Sequence, residues 1–219
     1  MQPLLTIVPS RSRPANGKRL LQSWRENDCK ESQLVFLMDD DDPTVVQYQA
    51  FGASVETAPR QRIGPRLNEK AVAVANEYRV IGFMGDDHLP RTHQWDTIIC
   101  KQLKEMGTGI VYGDDLLQGE MIPTAVFMTS DIVRALGYFC PPVLQHMYLD
   151  NAWKDWGQGA NCLRYLPDVI IEHMHPGSGK AAQDNLYAES GVLMGPDGER
   201  YREYVATSLA DDVEKIMAI

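Results

Sequence analysis

The sequence has few cysteines and no long apolar run, and both shortages restrict the class of protein. No apolar stretch among the 219 residues is long enough to cross a bilayer. The cysteines, at Cys29, Cys100, Cys140 and Cys162, lie far apart without a CxxC pair, which fits reduced thiols better than a disulfide framework or a zinc site. The N-terminus, MQPLLTIVPSRSRP, lacks the basic start, apolar region and cleavage site of a signal peptide. We therefore expect a cytoplasmic protein without a membrane segment.

Positive charge is also in short supply. The chain has 21 lysines and arginines against 30 aspartates and glutamates, so its formal net charge is -9 at pH 7. This balance argues against nonspecific binding to nucleic acids or to anionic membranes. A length of 219 residues, of which 44% are hydrophobic, suits one domain with its own core or one domain with a C-terminal appendage.

Two common nucleotide-binding motifs are incomplete. The segment Gly177-Ser178-Gly179-Lys180 resembles the end of a P-loop, but the first glycine position of that motif is Met174. The segment Gly157-Gln158-Gly159 opens like a dinucleotide fingerprint, but the third glycine position is Cys162. These departures argue against a kinase-like or a dehydrogenase-like protein.

Short apolar runs alternate with segments of helical periodicity. Strands are predicted over residues 4–8, 34–38, 80–84, 109–112, 124–128 and 168–171, and helices over 17–27, 67–78, 93–106, 131–137, 146–156 and 198–219. Residues 176–197 are rich in Gly, Pro and Asp and are expected to form a loop or a mobile segment. Strands interleaved with helices predict an α/β sheet that is covered on both faces.

Polar side chains follow five of the predicted strands. They lie within residues 9–13, 39–42, 85–88, 113–115 and 172–175. Because ligands of open α/β sheets bind at the carboxyl ends of the strands, we expect these residues to meet at one rim. Each group alone could be a solvated turn or a helix cap, but five groups at one rim indicate a binding site.

The chemistry of this rim favours a divalent cation and a phosphate group. Aspartate oxygens with histidine nitrogens suit Mg²⁺ or Mn²⁺, and the histidines favour Mn²⁺. Arg11 and Arg13 carry forked donors that match phosphate oxygens. A metal ion and arginines around a diphosphate indicate a nucleotide-dependent transfer reaction.

The order of these motifs resembles that of a glycosyltransferase of the GT-A fold, close to the family-two type and especially to its compact bacterial and bacteriophage members. The resemblance covers residues 4–176 and is carried by "TIVPSRSRP", "VFLMDDDD", "IGPRLNEKAVAVANEYRVIGFMGDDHLP", "LDNAW" and "IIEHMHP". It implies an α/β GT-A fold, with a mostly parallel central sheet flanked by helices. Residues 1–176 would form the glycosyltransferase domain, and residues 177–219 a loop and a C-terminal helix packed on it or extending from it.

The resemblance also implies a binding site for a nucleotide-sugar donor. The first loop would hold the base and the phosphates, Asp39 or Asp40 the base or ribose, and Arg66 the uracil or diphosphate. Asp86 would face the ribose, and Asp115 with its neighbour Asp114 the hydroxyls of the donor sugar. The residues of the first loop are Pro9, Ser10, Arg11 and Arg13.

The metal motif departs from the DxD pattern of the family, because the first acidic position is Gly85. Asp87 then takes the metal position, although a register in which Asp86 and His88 form a DxH motif is the alternative. A late histidine completes such sites in related transferases, and His173 fits that position better than His175. The cation expected here is Mn²⁺ or Mg²⁺.

The segment "MYLDNAW" matches the helix that faces the acceptor in the family, and Asp150 is its acidic residue. Asp150 would take the proton from the attacking acceptor hydroxyl, or it would merely cap its helix. The function implied is metal-dependent transfer of a hexose from a nucleotide-diphosphate sugar, a UDP-hexose, to an acceptor such as a protein or a glycan. A phage-encoded protein of this kind would act in the host cytoplasm. The alternatives are a nucleotidyltransferase acting on a sugar phosphate and a non-catalytic module that binds nucleotide-sugars.

Overall fold

A single mixed sheet forms the centre of the molecule in a computed structural model that describes residues 1–182 and 184–219. All six predicted strands are confirmed, and two short ones, β3 and β5, were not predicted. The strands are β1 (Gln2–Pro9), β2 (Ser32–Asp39), β3 (Val55–Ala58), β4 (Tyr78–Phe83), β5 (His88–Pro90), β6 (Ile110–Asp114), β7 (Val126–Thr129) and β8 (Leu163–His173). Periodicity did not reveal β3 and β5, because β3 (VETA) has no apolar run and no buried residue, and β5 has only three residues.

The order of the strands is β3-β2-β1-β4-β7-β6-β8-β5. Four neighbouring pairs are parallel (β3–β2, β2–β1, β1–β4 and β6–β8), whereas β4–β7, β7–β6 and β8–β5 are antiparallel. The parallel pairs bring the carboxyl ends of β1, β2 and β4 to one edge. The antiparallel pair β5–β8 places His88 opposite His173 at the same register position.

Helices cover both faces of the sheet. They are α1 (Pro14–Glu26), α2 (Val45–Ala50), α3 (Ile63–Val74), α4 (Trp95–Met106), α5 (Ser130–Leu136), α6 (Leu149–Gly159), α7 (Asn185–Gly191), α8 (Met194–Thr207) and α9 (Leu209–Met217). Side chains alternate along β1, so that Leu5 and Ile7 pack in one buried cluster and Leu4 and Val8 in another. The nearly continuous apolar strands therefore serve two cores, one on each face.

The C-terminal region differs from its prediction. Residues 198–219 do not form one helix, because the chain breaks at Ser208 between α8 and α9. Residues 176–197 are not all loop, since α7 begins after Asp184, whose carboxylate accepts N–H bonds from Leu186 and Tyr187. Helix α9 buries Ile216 in the core beside α5 and α6. No helix in residues 1–182 and 184–219 combines the length and the apolar character needed to cross a membrane.

Candidate metal and nucleotide site

The ends of β1, β2 and β4 are joined by polar contacts. The Arg11 guanidinium lies 2.8 Å from a carboxylate oxygen of Asp39, the last residue of β2. The Ser10 hydroxyl donates a hydrogen bond to Asp86, and the Arg13 guanidinium lies 3.3 Å from the same carboxylate. The first loop thus contacts residues at the ends of β2 and β4, the strands on either side of β1, as expected for a shared rim.

Asp86 is buried at the base of this rim. Burial raises the pKa of Asp86 to about 6, and the neighbouring charge of Asp87 adds to the effect. Ser10, Arg13 and Asn16 donate hydrogen bonds to the carboxylate and partly offset the rise. Asp86 therefore faces the first loop and α1, and its predicted contact with a ribose stays a prediction.

A second cluster contains potential metal ligands. Asp87, His88 and His173 each offer one ligand atom, and these atoms lie within 4.8 Å of one another. Asp87 lies 3.4 Å from Nδ1 of His88 and 3.5 Å from Nε2 of His173, and the two imidazole rings stack with centroids 4.2 Å apart. Burial opposes the charge of Asp87, but the two imidazoles hold the pKa of this carboxyl well below its usual range. One carboxylate with two imidazoles is a donor set that suits a borderline divalent ion such as Mn²⁺.

Gly85 explains why the metal motif departs from DxD. A Cβ atom at this position would lie 2.6 Å from Oδ1 of Asp87 and 2.9 Å from Nδ1 of His88. The Gly85 N–H also donates to Nδ1 of His88 at 3.0 Å. The imidazole of His88 thus fills the space that an acidic side chain at position 85 would need.

Asp115 lies behind His173, on the side away from Asp87. Its Oδ2 lies 3.7 Å from Nδ1 of His173, and Nδ1 is buried without a hydrogen-bond partner in the described part of the chain. Burial lowers the pKa of His173, but Asp115 and Asp87 outweigh it and raise this pKa to about 9. Metal-binding histidines are commonly held by a carboxylate that accepts their other N–H, and Asp115 lies on the corresponding side of His173, although 3.7 Å is longer than a hydrogen bond. These residues therefore fit a divalent cation.

The carboxylate of Asp115 has further partners. Its Oδ1 accepts three backbone N–H bonds, and Oδ2 accepts the Thr124 hydroxyl at 2.7 Å. The three donors are Leu117, Gln118 and Gly119, at 2.9, 2.6 and 2.9 Å. Asp115 thereby closes the loop after β6, and binding of donor-sugar hydroxyls by this residue stays a prediction.

The other predicted residues are not among the three potential metal ligands, although the His175 ring centroid lies 5.1 Å from that of His173. His175 follows β8, and its Nδ1 accepts the Gly177 N–H at 3.0 Å, so this nitrogen is already engaged. Arg66 lies on α3 with its guanidinium 3.2 Å from Glu69. Asp40 is exposed just after β2, and Pro9 ends β1 in register with Leu37. Their predicted roles in binding stay predictions.

Asp150 lies in the first turn of α6. Burial raises its pKa, and the charges of His173 and Asp115 also act on its carboxyl group. A raised pKa strengthens a carboxylate as a proton acceptor. The loop before α6 is fixed by the buried Asp197, whose Oδ2 accepts the N–H groups of Gln145, His146 and Met147 at 3.2, 2.8 and 2.9 Å.

The sequence did not reveal the contacts that α7 and its N-cap residue, Asp184, make with these clusters. The Tyr187 hydroxyl donates to Oδ2 of Asp87 at 2.6 Å, and Asp184 forms two bonds with the Arg13 guanidinium at 2.7 and 2.6 Å. Sequence separations of 100 and 171 residues leave no local signal for either contact. The participation of Asp197 was missed for the same reason.

A cleft of about 560 Å³ runs beside α6. The rings of Tyr112 and Tyr165, on β6 and β8, lie 5.2 Å apart and form part of its wall. Polar side chains complete the wall, namely Glu120, Lys154, Gln158 and Asn161. The lining residues on α6 are Lys154, Gly157 and Gln158, in the second half of the helix, so the cleft lies along α6 beyond the turn that carries Asp150.

No protein-family model matches the sequence, and a search of curated proteins finds no match. Solved structures are similar in fold. A mannosyltransferase, PcManGT from Pyrobaculum calidifontis, in complex with GDP-Man and Mn²⁺, has a TM-score of 0.62 at 10% identity and covers 98% of this chain and 73% of its own. Glucosyl-3-phosphoglycerate synthase from Mycobacterium tuberculosis, in complex with Mn²⁺, UDP-glucose and phosphoglyceric acid, has a TM-score of 0.58 at 12% identity, covering 80% and 72%.

S. aureus TarS in complex with UDP has a TM-score of 0.59 at 14% identity. The similarity covers 77% of this chain and 59% of the TarS chain, so the protein spans less than two thirds of that length. Identities this low establish architecture and not activity. The strand order, the flanking helices and these neighbours together show that the chain has the GT-A fold of nucleotide-sugar glycosyltransferases.

Proposed function

We propose that the protein is a metal-dependent glycosyltransferase that moves a hexose from a nucleotide-diphosphate sugar to an acceptor hydroxyl. The observation that carries this proposal is the cluster of Asp87, His88 and His173 beside the arginines of the first loop, in a GT-A fold. The solved neighbours bind UDP, UDP-glucose and GDP-mannose. We propose a UDP-sugar as the donor, in keeping with the resemblance of the motifs.

In this proposal, separate groups of residues bind the metal ion and the nucleotide. Asp87 and His173 would hold Mn²⁺ or Mg²⁺ with His88, and the charge of Asp115 would act on His173 from the other side. The bound ion would stabilise the negative charge of the departing diphosphate. Arg11 and Arg13 would bind the phosphate oxygens with Ser10, whereas Asp86 and Asp39 would position the ribose and the base. Arg66 and Asp40 would contribute to the same nucleotide pocket.

Asp150 would act as the general base. The acceptor oxygen attacks the anomeric carbon, the bond from that carbon to the diphosphate oxygen breaks, and the acceptor proton passes to the Asp150 carboxylate. Its raised pKa favours this transfer. The cleft beside α6 would hold the rest of the acceptor, because an aromatic wall with amide and carboxylate groups suits the faces and hydroxyls of a glycan.

The test compares wild type with Asp87→Asn in the presence of Mn²⁺ and a panel of nucleotide-sugars. Donor binding is measured by thermal shift, since a ligand of the native state raises the melting temperature. Transfer or slow hydrolysis is measured as release of a nucleoside diphosphate. We expect release by wild type and by the control Asp168→Asn, an exposed position on β8, and loss of release in Asp87→Asn.

Three results would contradict the proposal. A folded Asp87→Asn variant with full activity would exclude the metal role of this carboxylate. Release of pyrophosphate from a nucleoside triphosphate would identify a nucleotidyltransferase. Donor binding without any hydrolysis, with Mn²⁺ and candidate acceptors present, would identify a binding module.

A further inference from the structure

The segment formed by residues 184–191, here called the strap, lies across the candidate donor site. Asp184 contacts the Arg13 guanidinium through both carboxylate oxygens, and the Arg13 guanidinium carbon lies 4.3 Å from the centre of the Tyr187 ring. Arginine binds phosphate oxygens through the same kind of bidentate contact. The strap therefore occupies the guanidinium face that the donor diphosphate needs.

The strap also reaches the metal cluster. The Tyr187 hydroxyl donates to Oδ2 of Asp87, the oxygen that lies 3.5 Å from Nε2 of His173. A cation held between Asp87 and His173 would need this same oxygen. The phenol thus engages the oxygen that would otherwise coordinate the metal.

A third contact fixes the far end of the strap. The Glu189 carboxylate lies 2.8 Å from the Arg60 guanidinium, whose Nε lies 3.9 Å from Asp39. Arg60 and Glu189 are both about half exposed, so this ion pair is weaker than the contacts at Arg13 and Asp87. The strap is therefore held by three separate polar contacts, with Arg13, Asp87 and Arg60. Arg13 and Asp87 belong to the candidate site, and Arg60 lies next to Asp39.

We propose that the strap is an autoinhibitory element that donor and metal must displace. This inference rests on the proposed function of the site. Asp184 takes the place of a phosphate on Arg13, and the Tyr187 hydroxyl takes the place of the cation on Asp87. The apparent association constant for metal and nucleotide is then the intrinsic constant multiplied by the fraction of molecules in which the strap is open. Removing a strap contact raises the affinity, whereas removing a true ligand contact would lower it.

The test measures binding, independently of turnover. Isothermal titration calorimetry gives the affinity of wild type and Tyr187→Phe for Mn²⁺, and that of wild type and Asp184→Asn for UDP with Mn²⁺ present. We expect each variant to bind about fivefold more tightly, the effect of one polar contact in the closed state. The matched control is Tyr201→Phe, which removes a tyrosine–aspartate hydrogen bond to Asp155 and leaves the strap contacts intact.

Hydrogen exchange provides the second measurement. We expect amides 184–191 to exchange faster in both variants without ligand, and in wild type after UDP and Mn²⁺ are added. Unchanged or weaker binding by Tyr187→Phe, or slower exchange of these amides in wild type with UDP and Mn²⁺, would overturn the autoinhibitory role and leave the proposed function in place. Failure of wild type and both variants to bind either ligand would overturn both proposals.

Discussion

Restoring the missing acid of the DxD motif with Gly85→Asp is expected to damage the site. The added Cβ would lie 2.6 Å from Oδ1 of Asp87 and 2.9 Å from Nδ1 of His88, both closer than a carbon can approach. Both neighbours are buried, so neither can move into solvent without breaking contacts. Forcing one extra carbon into a packed interior costs about 1–3 kcal/mol, and the new carboxylate would add repulsion with Asp86 and Asp87.

Gly85→Ala separates the steric effect from the charge. We expect the free energy of unfolding in urea to fall by about 1–3 kcal/mol in Gly85→Ala, and by more in Gly85→Asp. Mn²⁺ affinity, measured by calorimetry on the folded variants, should fall in both because Asp87 and His88 are displaced. The control is Gly195→Ala in α8, where a Cβ meets no atom within 4 Å among the described residues and alanine should stabilise the helix by about 0.5 kcal/mol.

A Gly85→Asp variant that is as stable as wild type and binds Mn²⁺ more tightly would mean that position 85 accepts an acid after all. The site would then be an incomplete DxD motif, and His88 would not be filling the space of the first carboxylate.

Three further predictions concern the loop before α6 and the cleft. Burial lowers the pKa of His146 to about 4, so the stability it contributes is complete above pH 6.5 and is lost as the pH falls towards 4. In urea unfolding, the free energy of unfolding of wild type should fall between pH 6.5 and pH 4 by up to about 3 kcal/mol more than that of His146→Gln. The control His93→Gln, at an exposed position, should lose as much as wild type. Asp197→Ala leaves three N–H groups without their acceptor and should lower the unfolding free energy by about 3 kcal/mol in thermal or urea denaturation. Tyr165→Ala should raise the KM for a glycan acceptor and leave the affinity for UDP unchanged; an unchanged acceptor KM would exclude the cleft as the acceptor site.

The sequence predicted the polar rim because each strand, and the polar residues that follow it, can be recognised from a few neighbouring residues. The run at residues 80–84 is short, apolar and followed by a glycine, which favours a buried strand, and the polar residues that follow then lie at its carboxyl end. Parallel pairing of β1 with β2 and β4 brings Arg11 to Asp39 and Ser10 to Asp86. The resemblance to GT-A glycosyltransferases added the late histidine, and β8 does place His173 beside Asp87.

The sequence by itself therefore determined the apolar strands, the main helices and the polar residues at the strand ends, because each depends on periodicity within a few neighbouring residues. Only the tertiary structure decided that His88 joins Asp87 and His173, since the pairing of β5 with β8 stacks the two imidazoles. It likewise decided that Tyr187 lies on Asp87 and that Asp197 fixes the loop before Asp150. These contacts join residues 50 or more positions apart, and packing of the complete chain, which no local pattern encodes, brings them together.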